Sequence, residues 1–186
     1  MATDEIIYRQ LVAGDLGHLG DIDRTERIER IYVQEGSHLE ERDGDFSAPP
    51  WPTEGDSEHS VAAQQAACER CLAAGGSGLV AFADGRLVGI GVMKPHVRPD
   101  VAQLAYLHVS NGYRGRGIGG HLASELEALA RADGDASIVV SATPSLNTVH
   151  FYLRQGFEPM PEPLPELYEL EPDDVHLLKE LGSRTS

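Results

Sequence analysis

Short apolar runs separated by turn residues are the main pattern of this chain, and they predict a mixed α/β fold. Alternating runs rich in β-branched residues indicate strands. The dipeptide Asp84-Gly85 between two of these runs is typical of a two-residue β-hairpin turn. The strands predicted on this basis are residues 6–12, 79–83, 87–94, 101–109, 137–141, 157–160 and 167–171.

Longer alanine-rich and leucine-rich stretches predict helices between these strands. Ser57 or Ser60 provides an N-cap for one of them, and Gly156 ends another. The predicted helices are residues 16–28, 57–74, 118–132, 146–155 and 173–181.

Residues 29–46 are harder to assign. Residues 31–33 and 38–40 flank the turn signal Glu35-Gly36, which favours a short hairpin, and a continued helix is the alternative. Residues 47–56 contain three prolines and predict an extended loop. Trp51 in this loop either forms a wall of a substrate pocket or anchors the loop on the core, and we favour the anchor.

Composition limits the classes of partner. The chain has 186 residues, which suits one domain over residues 1–186, and a formal charge of −15. Nucleic acid is not expected as a partner, because phosphate binding requires a basic face. A cationic substrate would be attracted. No apolar run approaches the ~20 residues that cross a bilayer, and the first residues do not resemble a signal peptide. We therefore expect a cytoplasmic protein without a membrane partner.

The only cysteines, Cys68 and Cys71, form a Cys-x-x-Cys pair within a predicted alanine-rich helix. A redox motif would follow a strand, and a zinc site would need two further ligands at suitable spacing. We therefore interpret both as small helix residues and expect no metal site.

The octet from Tyr113 to Gly120 carries the clearest chemical signal. It contains four glycines and two arginines, and it lies between the predicted strand 101–109 and the predicted helix 118–132. Glycines let several backbone N–H groups approach one anion, and the start of a helix adds unpaired donors. The octet lacks the Lys-Ser or Lys-Thr pair of a Walker loop and the later acidic residue of a dinucleotide site. It therefore predicts a pyrophosphate-binding loop of another kind.

Two motifs give the chain a resemblance to the GNAT superfamily of acyl-CoA-dependent N-acetyltransferases. The first is Arg-x-x-Gly-x-Gly from Arg114 to Gly119, and the second combines Asn147, Tyr152 and Gly156-Phe157. With the order of elements, the likeness covers residues 79–171. It implies a mixed, mostly antiparallel sheet of six to seven strands that is flanked by helices and splayed at the long central strand. Residues 1–78 would form the acceptor side and residues 172–186 a C-terminal helix.

The resemblance also implies roles for individual residues. Tyr152 would protonate the departing thiolate, although a buried aromatic side chain is the alternative reading. Asn147 would hydrogen-bond the pantetheine arm of acetyl-CoA. The remaining expected contacts to this co-substrate are the strand edge Leu107, His108 and Val109 and the loop Arg114, Gly115, Arg116, Gly117, Ile118, Gly119 and Gly120.

The general base is the point at which the chain departs from the family pattern, because Gln103 stands where many members have glutamate. His108 and His96 have a suitable pKa range, but strand alternation places His108 opposite Gln103, and a packed role is preferred for it. Asp23, Glu26 and Glu29 would share one face of the predicted first helix.

We select Glu26 as the acidic residue on the substrate side. The corresponding hypothesis is that Glu26→Gln lowers turnover while the affinity for acetyl-CoA holds.

The function expected from the sequence is transfer of an acetyl group from acetyl-CoA to a primary amine of a small molecule. Acetylation of a protein or peptide amine is one alternative, and a non-catalytic acyl-CoA-binding protein is another. A homodimer agrees with the resemblance, since dimers are common in the family, but no residue pattern specifies it.

Overall fold

The computed structural model describes residues 5–55 and 57–182. Residues 1–4 and 183–186 of the predicted domain, and Asp56 in the predicted proline loop, lie outside these ranges. A seven-stranded sheet has the order β1-β4-β5-β6-β7-β9-β8, and a separate two-stranded sheet pairs β2 with β3. The strands are β1 (Ile7–Gln10), β2 (Glu26–Glu35), β3 (His38–Ala48), β4 (Ser77–Ala83), β5 (Arg86–Arg98), β6 (Val101–Val109), β7 (Ser137–Ala142), β8 (Glu158–Pro159) and β9 (Val175–Glu180).

Only the pairing of β6 with β7 is parallel in the large sheet. The predicted fold, a mostly antiparallel sheet flanked by helices, is therefore confirmed. The helices are α1 (Val61–Ala73), α2 (Ile118–Asp133), α3 (Leu146–Arg154) and α4 (Pro165–Leu170). Ser60 caps α1 by accepting a hydrogen bond from the Ala63 amide at 3.2 Å, as one of the two predicted caps.

The prediction of a helix at residues 16–28 is wrong. A 3-10 helix spans Ala13–Asp21, and the chain then becomes extended and enters β2 at Glu26. The glycines Gly14, Gly17 and Gly20 lower the helix propensity of this region. Asp23, Glu26 and Glu29 therefore share no helical face. Of the two interpretations of residues 29–46, the hairpin is confirmed, and it is longer than predicted.

Two predictions near the C-terminus are also wrong. Residues 167–171 belong to helix α4, which starts at Pro165 in the first helical turn. Residues 173–181 contain strand β9 instead of a helix. Val175 and Leu177 in this strand are almost fully buried against the neighbouring β7. A short buried strand and a buried helical segment can both appear in a sequence as a short run of apolar residues. Periodicity alone does not distinguish them.

Strands β6 and β7 separate after a short pairing. Their parallel register covers only Val101 to Gln103 on β6, although β6 continues to Val109. The register of β6 with β5 shifts just beyond this point, where Ala105 is the additional residue of a β-bulge. A bulge bends the strand and increases its twist. The predicted splay at the long central strand is thus confirmed and begins beside Ala105.

The bulge also changes which side chains share a face of β6. Leu104 and Leu107 both pack in the core with α2 and α3, whereas Tyr106 packs on the other face with Trp51. Strict alternation would place Leu104 and Tyr106 on one face and Leu107 on the other. The additional residue Ala105 reverses the alternation after this point. His108, which packs with Trp51 and Tyr106, therefore shares a face with Gln103, and the predicted placement on the opposite face is wrong.

Candidate functional site

The glycine-rich loop has the backbone geometry of an anion site. Gly115 and Gly117 have φ values of 76° and 81°, in the left-handed region that favours glycine, and Gly117 is the N-cap of α2. A Cβ atom at either position would meet no atom within 4 Å, so the backbone of the loop is open on this side. The first turn of α2 points its N–H groups into the same region.

A later glycine of the loop serves packing. A Cβ atom on Gly119 would lie 3.2 Å from the ring of Phe151, so the small residue lets α2 and α3 approach closely. The start of α2 thus lies directly against α3, the helix that carries Asn147 and Tyr152.

Arg114 links the loop to the chain segment that precedes β2. Its guanidinium donates to the carbonyl oxygens of Val109 and Arg24 at 3.2 and 3.4 Å, and its Nη1 lies 3.4 Å from Oε2 of Glu26. The other carboxylate oxygen of Glu26 accepts a hydrogen bond from Nδ2 of Asn147 at 3.0 Å. Glu26 is thus the junction between the loop and α3, with only 15 % of its side chain exposed.

Strand β2 runs across the open mouth of the gap between β6 and β7. It begins at Glu26 beside the loop, and the Tyr32 amide then donates to the Pro144 carbonyl just after β7 at 2.8 Å. Further along, the Gln34 side chain donates to the carbonyl oxygens of Met160 and His176 at 3.0 and 3.1 Å. The hairpin of β2 and β3 therefore covers one side of this gap.

The face of β6 that carries His108 is filled by aromatic rings. The His108 ring centroid lies 4.9 Å from Trp51 and 4.6 Å from Tyr106. Burial, with the charges of Arg24 and Arg114, lowers the pKa of His108 to about 4, so this imidazole is neutral and weakly basic at pH 7. Trp51 is 5 % exposed within the core, which confirms the anchor interpretation for this residue.

Tyr152 lies on α3, in the core beside Phe151 and Phe157, at ring distances of 5.0 and 5.3 Å. Burial raises the pKa of its hydroxyl well above the usual range, and the negative charge of Asp174 raises it further. The phenol therefore stays protonated at neutral pH and can donate a proton or a hydrogen bond.

A cavity of about 560 Å³ lies between the β2–β3 hairpin, Pro144 just after β7, and the segment that leads into β9. Burial, reinforced by Glu171 and Asp173, raises the pKa of Asp174 in its wall to about 7. The sequence reasoning missed Asp174 because it placed this residue in a C-terminal helix. The pair Asp173-Asp174 directly before a short apolar run was the one available signal.

The remaining candidate residues lie apart from this region or lack suitable chemistry. His96 lies in β5, beside the start of β6 and away from the glycine-rich loop, and its Nδ1 is 2.9 Å from Oδ1 of Asp135. Burial raises the pKa of Cys68 to about 12 and that of Cys71 above its usual value, so both are poor thiolates. Within residues 5–55 and 57–182, no group of three or more metal-binding side chains occurs.

The described helices also include none with the length and apolar character needed to cross a membrane.

Comparison with known proteins agrees with the resemblance to the GNAT superfamily. The model of the acetyltransferase (GNAT) family matches residues 37–157. An amino-acid acetyltransferase of Ralstonia nicotianae is 31% identical over 103 residues, which are 53% of this chain and 22% of the relative. The matched segment thus spans about a fifth of the length of that relative.

Solved structures share the fold at low sequence identity. A nourseothricin acetyltransferase superimposes with a TM-score of 0.70 at 19% identity and covers 95% of this chain and 99% of its own. The N-acetylglutamate synthase of Neisseria gonorrhoeae, complexed with coenzyme A and N-acetyl-glutamate, has a TM-score of 0.60 at 18% identity. That match covers 97% of this chain and 36% of the other.

Proposed function

Because the chain belongs to the acetyltransferase (GNAT) family, we propose that it transfers an acetyl group from acetyl-CoA to a primary amine of a small molecule. Transfer would occur by direct attack in a ternary complex. The observation that carries this proposal is the gap between β6 and β7. The glycine-rich loop follows β6 on one side of the gap, and α3, with Asn147 and Tyr152, follows β7 on the other.

The co-substrate would lie along this gap. The N–H groups of residues 114–120 bind its pyrophosphate, and the open spaces at Gly115 and Gly117 support this placement. The backbone edge of β6 from Leu107 to Val109 has left its pairing with β7 and can bond the pantetheine amides. Asn147 adds one side-chain hydrogen bond to the same arm.

The chemistry needs three groups near the thioester. The neutral amine forms the N–C bond, and the bulged backbone at Ala105 supplies an N–H for the developing oxyanion. The C–S bond then breaks, and its electron pair stays on sulfur. Tyr152 gives its proton to that thiolate and recovers one from the attacking nitrogen. Its raised pKa keeps the phenol protonated at neutral pH until the thiolate forms.

A small-molecule acceptor is favoured over a protein acceptor, because β2 covers part of the gap between β6 and β7. Strand β2 crosses the mouth of the gap and is fixed at both ends, by Glu26 and by Gln34. A peptide segment would require an open groove at this position. The cavity beside β2 has the volume of a small-molecule site.

The test is incubation of the protein with acetyl-CoA and separate panels of small amines, amino acids and amino-terminal peptides, with products identified by mass. We expect an acetylated small amine. Tyr152→Phe should lower kcat by roughly 100-fold or more while the dissociation constant of acetyl-CoA, measured by calorimetry, stays unchanged. Product on peptides alone would favour a protein acetyltransferase. Binding of acetyl-CoA without any product would favour a non-catalytic acyl-CoA-binding protein.

A further inference from the structure

The cavity beside β2 has a wall composition that selects among acceptors. Its apolar surface comes from the aromatic rings of Tyr32, Phe46 and Tyr168 and from three prolines, and its charged wall residues are Asp173 and Asp174. Among the described residues that line it there is no Lys or Arg. An amino acid acceptor carries a carboxylate, which binds tightly where a cation or several N–H donors face it. This wall therefore fits an ammonium group on an apolar body.

Among the residues that line this cavity, Asp174 is the best candidate for a proton acceptor. It is half-buried in a wall that it shares with Tyr32. The Tyr32 hydroxyl lies 2.9 Å from Nε2 of His150 on α3, the helix that carries Tyr152, so the cavity borders the predicted reaction centre. The negative charge of Asp174 also raises the pKa of Tyr152. The titratable groups around it are Glu171 and Asp173 on its own segment, Tyr168 on α4, His176 on β9, Tyr32 on β2 and Tyr152 on α3.

The other bases near the cavity already have partners. Nδ1 of His176 lies 3.3 Å from Oγ of Ser141, and its Nε2 lies 3.0 Å from the carbonyl oxygen of Glu171. The hydroxyl of Tyr32 is paired with Nε2 of His150 at 2.9 Å. Both nitrogens of His176 and Nε2 of His150 are thus occupied. Of the two carboxylates in the wall, Asp173 is exposed and Asp174 is half-buried, which favours Asp174 as the proton acceptor.

We propose that this cavity binds the acceptor as a cationic amine with an apolar or aromatic body and no carboxylate, and that Asp174 accepts the proton which the ammonium loses before attack. The inference rests on the proposed acetyl transfer. The ammonium gives one proton to the Asp174 carboxylate, which later releases it to solvent. The neutral nitrogen then forms the N–C bond, and its second proton reaches the CoA sulfur through Tyr152. The products are an amide, free CoA and one proton.

The pH dependence follows from the raised pKa of Asp174. Below pH 7 the carboxyl is protonated and cannot accept, so kcat/KM for an alkylamine should fall as the pH drops through about 7. Above this pH the wild-type profile should level off. In Asp174→Asn the free amine must form in solution, and because an alkylamine has a pKa of ~10.4, kcat/KM should keep rising about tenfold per pH unit.

The decisive experiment compares two acceptors of similar shape in the wild type and in Asp174→Asn. One is a strongly basic arylalkylamine, and the other is an analogue whose pKa lies below the assay pH, so that it is already neutral. Asp174→Asn should lower kcat/KM for the basic amine at pH 7 by about 100-fold or more and change that of the weakly basic amine less than about threefold. Turnover of the weakly basic amine also demonstrates that the variant is folded.

Two controls separate this inference from the proposed function. Asp133→Asn makes the same chemical change at an exposed position at the end of α2 and should leave both rates at wild-type values. Acetyl-CoA should bind Asp174→Asn as it binds the wild type. If the wild type acetylates no amine, the proposed function fails together with this inference. If the wild type is active and Asp174→Asn slows both amines equally, only the role of Asp174 is overturned.

The substrate class is tested with a matched set in the wild type, consisting of 2-phenylethylamine, phenylalanine amide and phenylalanine. The first two should be acetylated, and phenylalanine should have a kcat/KM lower by at least ~10-fold, because its carboxylate enters an acidic cavity without a cation. Equal or better turnover of phenylalanine would overturn the assignment of a carboxylate-free acceptor.

Discussion

Glu26 contacts two residues that are expected to hold acetyl-CoA, and this changes how its role should be tested. One of its carboxylate oxygens accepts from Asn147, and the other lies near Arg114. A residue with these partners can position the co-substrate site without touching the amine. Its selection as a substrate-side acid remains a prediction, although the helix on which that selection was based does not exist.

A double-mutant cycle of Glu26→Ala and Asn147→Ala distinguishes the two roles. If Glu26 acts by orienting Asn147, each single change should weaken acetyl-CoA binding by roughly 2–5-fold, and the double variant should be little worse than either one. Calorimetric titration of acetyl-CoA gives the four dissociation constants. Unchanged acetyl-CoA affinity in Glu26→Ala, with a large fall in kcat, would instead support the substrate-side role.

At the scale of single elements, the structure follows the sequence where local signals are strong. The β4–β5 hairpin has its turn at Asp84-Gly85, where both residues adopt positive φ, and α2 starts at Ile118 as predicted. Turn residues and helix caps act within a few positions, so one sequence suffices to find them.

The bulge at Ala105 and the strand β9 could not be found in this way. The bulge depends on how β6 aligns with β5, and the burial of β9 depends on β7. Both are properties of strand pairing between distant parts of the chain. The loop and the Asn147–Tyr152 motif were recognisable because their residue types and spacing are local, whereas Asp174 reaches the site only through the pairing of β9.

The attachment of α2 to β9 depends on a buried ion pair. Glu127 on α2 is 4 % exposed, and Nζ of Lys179 on β9 donates to its Oε2 at 2.7 Å, with Arg131 more distant at 3.6 Å. Lys179→Met keeps much of the aliphatic stem but leaves a buried carboxylate poorly paired.

We expect Lys179→Met to lower the free energy of unfolding by about 1–3 kcal/mol, as measured by urea denaturation at pH 7. Adding Glu127→Gln in the same chain removes the unpaired charge and should recover part of this loss. A double variant that is less stable by the sum of both single effects would contradict a direct pairing of the two residues.

At the scale of the whole molecule, the net charge of −15 should attract one of the two proposed substrates and repel the other. A cationic amine is attracted over a distance comparable to the Debye length, whereas the anionic acetyl-CoA must approach against the overall charge. The arginines of the loop act locally, at the point where the pyrophosphate is expected to bind. The long-range and short-range parts of the electrostatics should therefore respond differently to salt.

Raising the ionic strength from ~10 mM to ~150 mM shortens the Debye length from ~30 Å to ~8 Å. If long-range attraction concentrates the cationic acceptor near the acidic surface, its kcat/KM should fall several-fold over this range, measured at saturating acetyl-CoA. The weakly basic amine, which is neutral at the assay pH, serves as the matched control and should keep its kcat/KM. A similar loss for both amines would assign the salt effect to the protein or to acetyl-CoA. A fall in kcat/KM for the cationic amine alone would show that the acidic surface attracts this amine to the protein.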